Sequence, residues 1–223
     1  MADVFISYRH RDEAFALQLV GALAQRGSTA WLDRSDVLPA GELREDIQAR
    51  IEEAGAFLFL LSPDSVISEE CKKELDYAVD CRKKLIPVVH RAVDPDLVPQ
   101  ALRGLDWITD ASFDHLFEKV LDALLIDKED WNRSGRWQRL SREWEKNHKQ
   151  NAGLLLRGKE LKRAEELLKR AERWRLEGSH KKPQPDEFQI QFIRASRRVT
   201  NRTLLVRMLV LFLLVGLTAG GAF

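Results

Sequence analysis

Between residues 3 and 126, short β-rich runs alternate with stretches whose apolar residues recur at helical spacing. Residues 3–7 (DVFIS) predict a buried strand, and 12–26 a helix with Phe15, Leu19 and Leu23 on one face. Residues 29–32 predict a second strand, followed by a loop at 33–41 that contains Pro39 and Gly41. A helix at 42–54 carries Leu43, Ile47 and Ile51 at i, i+4 and i+8. Ala56–Leu61 (AFLFLL) is apolar throughout, the pattern of a strand covered on both faces. A helix at 68–81, a strand at 85–89, a last short strand at 106–108 and a closing helix at 112–125 complete the series. Strand and helix alternating in this way predict an α/β fold, a five-stranded parallel sheet with right-handed crossovers and helices on both faces. Such sheets bind ligands at the carboxyl ends of their strands, here 7–10, 33–41 and 62–68.

Beyond residue 126 the pattern changes. Trp137, Leu140 and Trp144 fall at i, i+3 and i+7, and 154–174 continues as a helix laced with Glu, Lys and Arg. Pro183 and Pro185 interrupt it, and Asp186 is placed to N-cap a final helix through Phe188, Phe192 and Ile193. Residues 203–223 carry a single charge, Arg207. As a helix this segment spans about 31 Å, the hydrocarbon thickness of a bilayer. Arg194, Arg197, Arg198 and Arg202 precede it, which predicts a single-pass membrane protein with its N-terminal part in the cytoplasm. The alternatives are a buried helix or a helix for a partner chain. The apolar run reaches the last residue, as in a tail-anchored protein or in a chain that continues into a sensor. The expected layout is an α/β domain at 1–126, a basic helical connector at 127–202 and a transmembrane helix at 203–223.

With 44% hydrophobic and 32% charged residues in a chain of 223, a sizeable core is available, which excludes a disordered chain or a collagen-like repeat. Cys71 and Cys81 stand ten apart on one predicted helix, about 15 Å and too far for a disulfide. The net charge of +1 conceals an asymmetry: residues 1–126 hold 14 Lys and Arg against 23 Asp and Glu, and the remainder 22 against 12. The basic stretch 157–182 has interleaved glutamates, a pattern for a solvated helix facing anionic lipid rather than nucleic acid. Neither G-x-G-x-x-G nor a P-loop occurs, and Cys71, Cys81 and His90 lack metal-ligand spacing.

Three segments carry a family resemblance. Asp3-Val4-Phe5-Ile6-Ser7-Tyr8 is similar to the first signature box of the TIR (Toll/interleukin-1 receptor) domain. Trp31-Leu32-Asp33 and Val37-Leu38-Pro39-Ala40-Gly41 resemble its second strand and the mobile loop after it. Phe59-Leu60-Leu61-Ser62-Pro63, then Ser65, Ser68, Cys71 and Glu74-Leu75, resemble the third strand and the Ser…Ser…Cys-x-x-Glu-Leu run of bacterial members. The resemblance covers residues 3–125. It implies a flavodoxin-like sheet and, in many bacterial members, NAD+ glycohydrolase or cyclase activity; other members are adaptors that only assemble.

Carried over position by position, the resemblance places the catalytic glutamate at Glu74. It places substrate contacts at Tyr8, Arg9, His10, Trp31, Asp33, Asp36, Gly41, Ser62 and Ser68. NAD+ enters as substrate, with no resident cofactor or metal implied. Cleaving the nicotinamide–ribose bond builds oxocarbenium character, which a nearby carboxylate stabilises. Arg9 suits a pyrophosphate; Trp31 either stacks on a ring or belongs to the core; His10 is a base or an exposed loop residue. The loop at 33–41 gates the pocket and mediates TIR–TIR contacts in the family. Glu70 stands four residues before Glu74, where many active members carry Trp, and two like charges on one helical face raise the pKa of either. Two functions follow: a TIR NAD+-cleaving effector in signalling or anti-phage defence, active on self-association, and a non-catalytic, membrane-tethered TIR scaffold. Read from its position alone, Glu74 is a solvated surface glutamate near Lys73.

Overall fold

Strand β1 (Val4–Ser7) and strand β3 (Ala56–Leu61) are buried along their whole length. Continuous apolar runs suit a strand with both faces covered. The computed structural model describes residues 3–32, 43–176 and 182–220. Around these two central strands, β2 (Ala30–Leu32) lies on one side and β4 (Lys84–Val89) on the other, giving a parallel sheet of order β2-β1-β3-β4. Val4 pairs with Ala30 on one side and with Ala56 on the other, and Ala56 with Lys84.

Alternation along the strands splits the core into two layers. Val4, Ile6, Leu58, Leu60, Ile86 and Val88 face helices α1 (Glu13–Gln25) and α6 (Phe113–Leu125), which supply Leu19, Leu23, Leu116 and Val120. Phe5, Phe57, Phe59 and Leu61 face the other way, against α2 (Leu43–Glu53), α4 (Glu69–Asp80) and α5 (Gln100–Arg103). A short helix, α3 (Pro63–Val66), joins β3 to α4.

The expected fifth strand is absent among the described residues: 106–108 contributes one parallel bridge, Val88 to Ile108. Val89 N donates to Ile108 O and Ile108 N to Pro87 O, after which Thr109 and Asp110 leave the ladder. The sheet therefore has four strands.

The chain divides into two compact units, Met1–Gly135 with His180–Pro183 and Arg136–Ser179 with Gln184–Phe223. The second is all helical, built from the later part of α7 (Lys128–Lys146), α8 (Gly158–Leu176) and α9 (Glu187–Gly220). Trp137, Trp144, Leu161, Leu167, Phe192 and Ile193 form its own apolar core, with Trp144 edge-on to Phe192 at 5.8 Å. Asp186 caps α9 as its sequence position predicts. Gln189 N donates to Asp186 Oδ1 at 2.7 Å, and Asp186 N donates back to Gln189 Oε1 at 3.0 Å.

Among the described residues no helix is long and apolar enough to cross a membrane. The apolar residues described in α9, 203–210, are broken by Arg207. The transmembrane helix expected at 203–223, the membrane as a partner and the single-pass localisation are corrected accordingly.

Candidate functional site

The chain runs from β1 to the edge strand β2 on one side, then returns to β3 and β4 on the other. The carboxyl ends of β1 and β3 thus flank the topological switch point, where α/β sheets open a crevice. Tyr8 and Arg9 leave β1 there, Ser62 leaves β3, and His90 and Arg91 leave β4.

Helix α4 begins at this edge. Ser68 caps it, its hydroxyl accepting from Cys71 N at 3.2 Å and donating to Glu70 Oε2 at 3.1 Å. One turn on, Cys71 is buried and its thiol lies 3.4 Å from the carbonyl of Tyr8, which ties α4 to the end of β1. Glu74 follows on the same buried face, 6% exposed, beside Leu75 and Ala78. It is therefore not a solvated surface glutamate. Burial, and then the nearby Glu74 charge, push the Cys71 thiol up to about 12, so that it stays protonated. Glu70 departs from the like-charge expectation. Its carboxyl is held below the ordinary glutamate range, first by its own backbone N–H, then by Ser68, with Arg9 adding attraction from 3.4 Å.

A second cluster lies at the same edge and joins residues distant in sequence. Asp12, fully buried at the end of a 3-10 turn (His10–Asp12), accepts from Ser62 Oγ at 2.6 Å and from Arg91 at 2.9 and 2.7 Å. Arg91 also reaches Asp64, which Arg11 approaches at 3.3 Å. His90 stacks on Phe15 at 4.1 Å with Nε2 3.7 Å from Asp12, and burial holds its pKa below the ordinary histidine value. Sequence reasoning missed Asp12, Asp64 and Arg91. The available signal was a carboxylate at the first turn after the first strand, opposite cations at the end of the fourth.

The backbone of Tyr8 and residues Arg9, Ser62 and Ser68 lie at this edge, with Glu74 one turn past Cys71 along α4, while the other expected residues stand apart or outside the described part. The Tyr8 ring packs into the core layer under α1 and α6. Ser62 N-caps α3 in a reciprocal box with Ser65. His10 is exposed, 3.5 Å from Glu13. Trp31 pairs in register with Phe5 on the edge strand, is 36% exposed, and has the Arg50 guanidinium 4.5 Å over its ring. It is neither core nor open for stacking on that face. Asp33, Asp36 and Gly41 lie outside the described residues.

A parallel sheet of order β2-β1-β3-β4 with helices on both faces defines an open α/β class. Within it, the TIR domain model matches residues 4–125, just over half of the chain, and the protein belongs to that family. Over 103 residues the chain is 35% identical to a protein of Brachypodium distachyon named probable 2' cyclic ADP-D-ribose synthase BdTIR. That alignment covers 45% of this chain and 46% of the relative, so the chain spans about half the relative's length. Among solved structures, a metazoan TIR-STING receptor from C. gigas is 27% identical with a TM-score of 0.45, covering 56% of this chain and 40% of that one. The TIR domain of a Toll-related receptor from Hydra magnipapillata is 23% identical with a TM-score of 0.47, covering 58% and 99%. The relative matched is a plant protein, so the expected bacterial membership gains no support from it.

Proposed function

We propose that the protein cleaves the nicotinamide–ribose bond of NAD+, with Glu74 as the catalytic carboxylate. The observation that carries this reading is the buried position of Glu74 on α4, one turn beyond the contact between Cys71 and the end of β1. The relative named as a cyclic ADP-ribose synthase supports it at the level of the family. As nicotinamide departs with the bonding electron pair, positive charge grows on the anomeric carbon. A carboxylate in a site of low effective dielectric stabilises that charge more strongly than one in water. Nicotinamide leaves neutral, so the reaction needs no strong acid. The ribosyl cation is then captured by water, giving ADP-ribose, or by a nucleophile of the same molecule, giving a cyclic product. Arg9, from the end of β1, faces the diphosphate. The loop at 33–41 serves TIR–TIR association, which completes the site, and the role is signalling or defence.

A second reading, a TIR scaffold that assembles without cleaving, draws on one specific feature: Arg9 is already engaged by Glu70. The test is NAD+ consumption by the full chain clustered on a nickel-chelating surface, beside Glu74→Ala. Loss of NAD+ in the wild type alone supports the enzyme with Glu74 at its centre. Equal loss in both removes Glu74 from that role, and no loss from clustered protein favours the scaffold.

A further inference from the structure

Glu70 Oε2 has two claims on it. Arg9 Nη1 approaches it at 3.4 Å from across the edge, and the Ser68 hydroxyl donates to it at 3.1 Å from the start of the same helix. The two claims differ in strength. Arg9 is 29% exposed and Glu70 56%, so their contact is a long, solvent-screened ion pair of the kind that contributes little. The helix start is the firmer partner: the backbone N–H of Glu70 and the Ser68 hydroxyl do most to keep its carboxyl ionised, and Arg9 does less. Glu70 therefore remains satisfied when Arg9 turns away from it.

Arg9 has the opposite preference. Its guanidinium meets one oxygen of Glu70 at long range, whereas a phosphate group offers a guanidinium two oxygens in the fork geometry that it fits best. Arg9 also acts on Asp64, a carboxylate that Arg91 and Arg11 already hold. An incoming dianion takes the place of Glu70 on the guanidinium, and the half-exposed Glu70 keeps the helix start and solvent.

We propose that Glu70 is an internal competitor for Arg9, occupying the guanidinium until the diphosphate of a dinucleotide takes it and Glu70 settles onto Ser68. This rests on the NAD+ reading of the site and deepens it: Glu70 sets the affinity for the substrate's charged centre without touching the reacting carbon. Interactions lost equally from the ground and transition states move KM and leave kcat alone.

The experiment uses the full chain with inorganic pyrophosphate as the probe, titrated by calorimetry into wild type, Glu70→Gln, Arg9→Gln and the double variant. The same four proteins are assayed for NAD+ cleavage when clustered. Glu70→Gln is expected to tighten pyrophosphate binding about three- to fivefold, the scale of an exposed ion pair. Arg9→Gln weakens binding, and adding Glu70→Gln to it gives no further gain. KM for NAD+ falls by the same factor in Glu70→Gln, with kcat unchanged. Unchanged or weaker pyrophosphate binding in Glu70→Gln overturns the proposal, and so does a gain that persists without Arg9. Tighter pyrophosphate binding with NAD+ cleaved at unchanged KM overturns it as well, because Arg9 then does not receive the dinucleotide. Tighter binding that depends on Arg9, with no NAD+ cleavage by any clustered protein, supports the competition and removes the cleavage reading instead.

Discussion

Arg91 presents two nitrogens, Nε at 2.9 Å and Nη2 at 2.7 Å, to one carboxylate oxygen of Asp12, a side chain with no exposed surface. The second Asp12 oxygen takes the Ser62 hydroxyl at 2.6 Å. One buried carboxylate thereby fastens the ends of β3 and β4 to the start of α1, on the side of the sheet where the candidate site opens. A buried charge keeps its place only while its partners hold it.

Arg91→Met is expected to destabilise the TIR unit by about 2–4 kcal/mol, below the full cost of stranding a buried charge because Arg91 itself is partly exposed. Adding Asp12→Asn to it recovers part of the loss, since the stranded charge is gone. Urea unfolding of the two single variants and the double variant measures both.

Glu74→Gln conserves shape and removes charge. NAD+ cleavage is expected to fall by about 10²-fold or more, the scale for losing a preorganised electrostatic group, while the thermal midpoint stays within a few degrees of wild type. Chromatographic product assays and a thermal melt on the same preparation separate lost chemistry from lost fold.

His90 gives a dependence on pH. Its folded pKa lies below 6.5, because burial against Phe15 outweighs the attraction of Asp12, and Arg91 adds repulsion. The unfolded chain therefore binds the proton more readily than the folded one, and stability falls as pH drops below 6.5. In His90→Phe that acid-side contribution is lost. The stability difference between the two proteins is constant above pH 7 and shifts in the variant's favour below 6.5, read from urea midpoints at successive pH values.

Asp186→Ala removes the oxygen that receives Gln189 N at the start of α9 and is expected to cost about 1 kcal/mol in the helical unit. Gln189→Ala removes the reciprocal contact to Asp186 N and costs less. Circular dichroism melts of both variants test the order.

Local pattern carried much of the fold. Ala56–Leu61 is the strand its uninterrupted apolar run describes, and Asp186 is the cap its position after Pro183 and Pro185 suggests. Residues 106–108 misled, because a strand requires a ladder of partners and Ile108 alone pairs with Val88. Of the candidate site, only the local placement was legible: Ser68 caps the helix that carries Cys71 and Glu74 at helical spacing. The bond between Asp12 and Arg91 joins residues 79 positions apart, and nothing in the periodicity of either segment records the other. The fate of Glu70 was hidden for a related reason. Spacing showed a like charge at Glu74, but not the backbone N–H and the Ser68 hydroxyl that hold the Glu70 carboxyl low.

Strand β1 sits between β2 and β3, and its register places Val4 beside Ala56. In the order of synthesis its inner neighbour therefore emerges about 50 residues later, some 3–10 s at usual ribosomal speeds. Through that interval the fully apolar face of Phe5 has no partner from β3, and only the edge pairing with β2 is available. Residues of β1 are thus enclosed only by segments made much later. Chaperone binding to the nascent chain should reach this strand early and cease only once α6, which covers Val4 and Ile6, has cleared the ribosome.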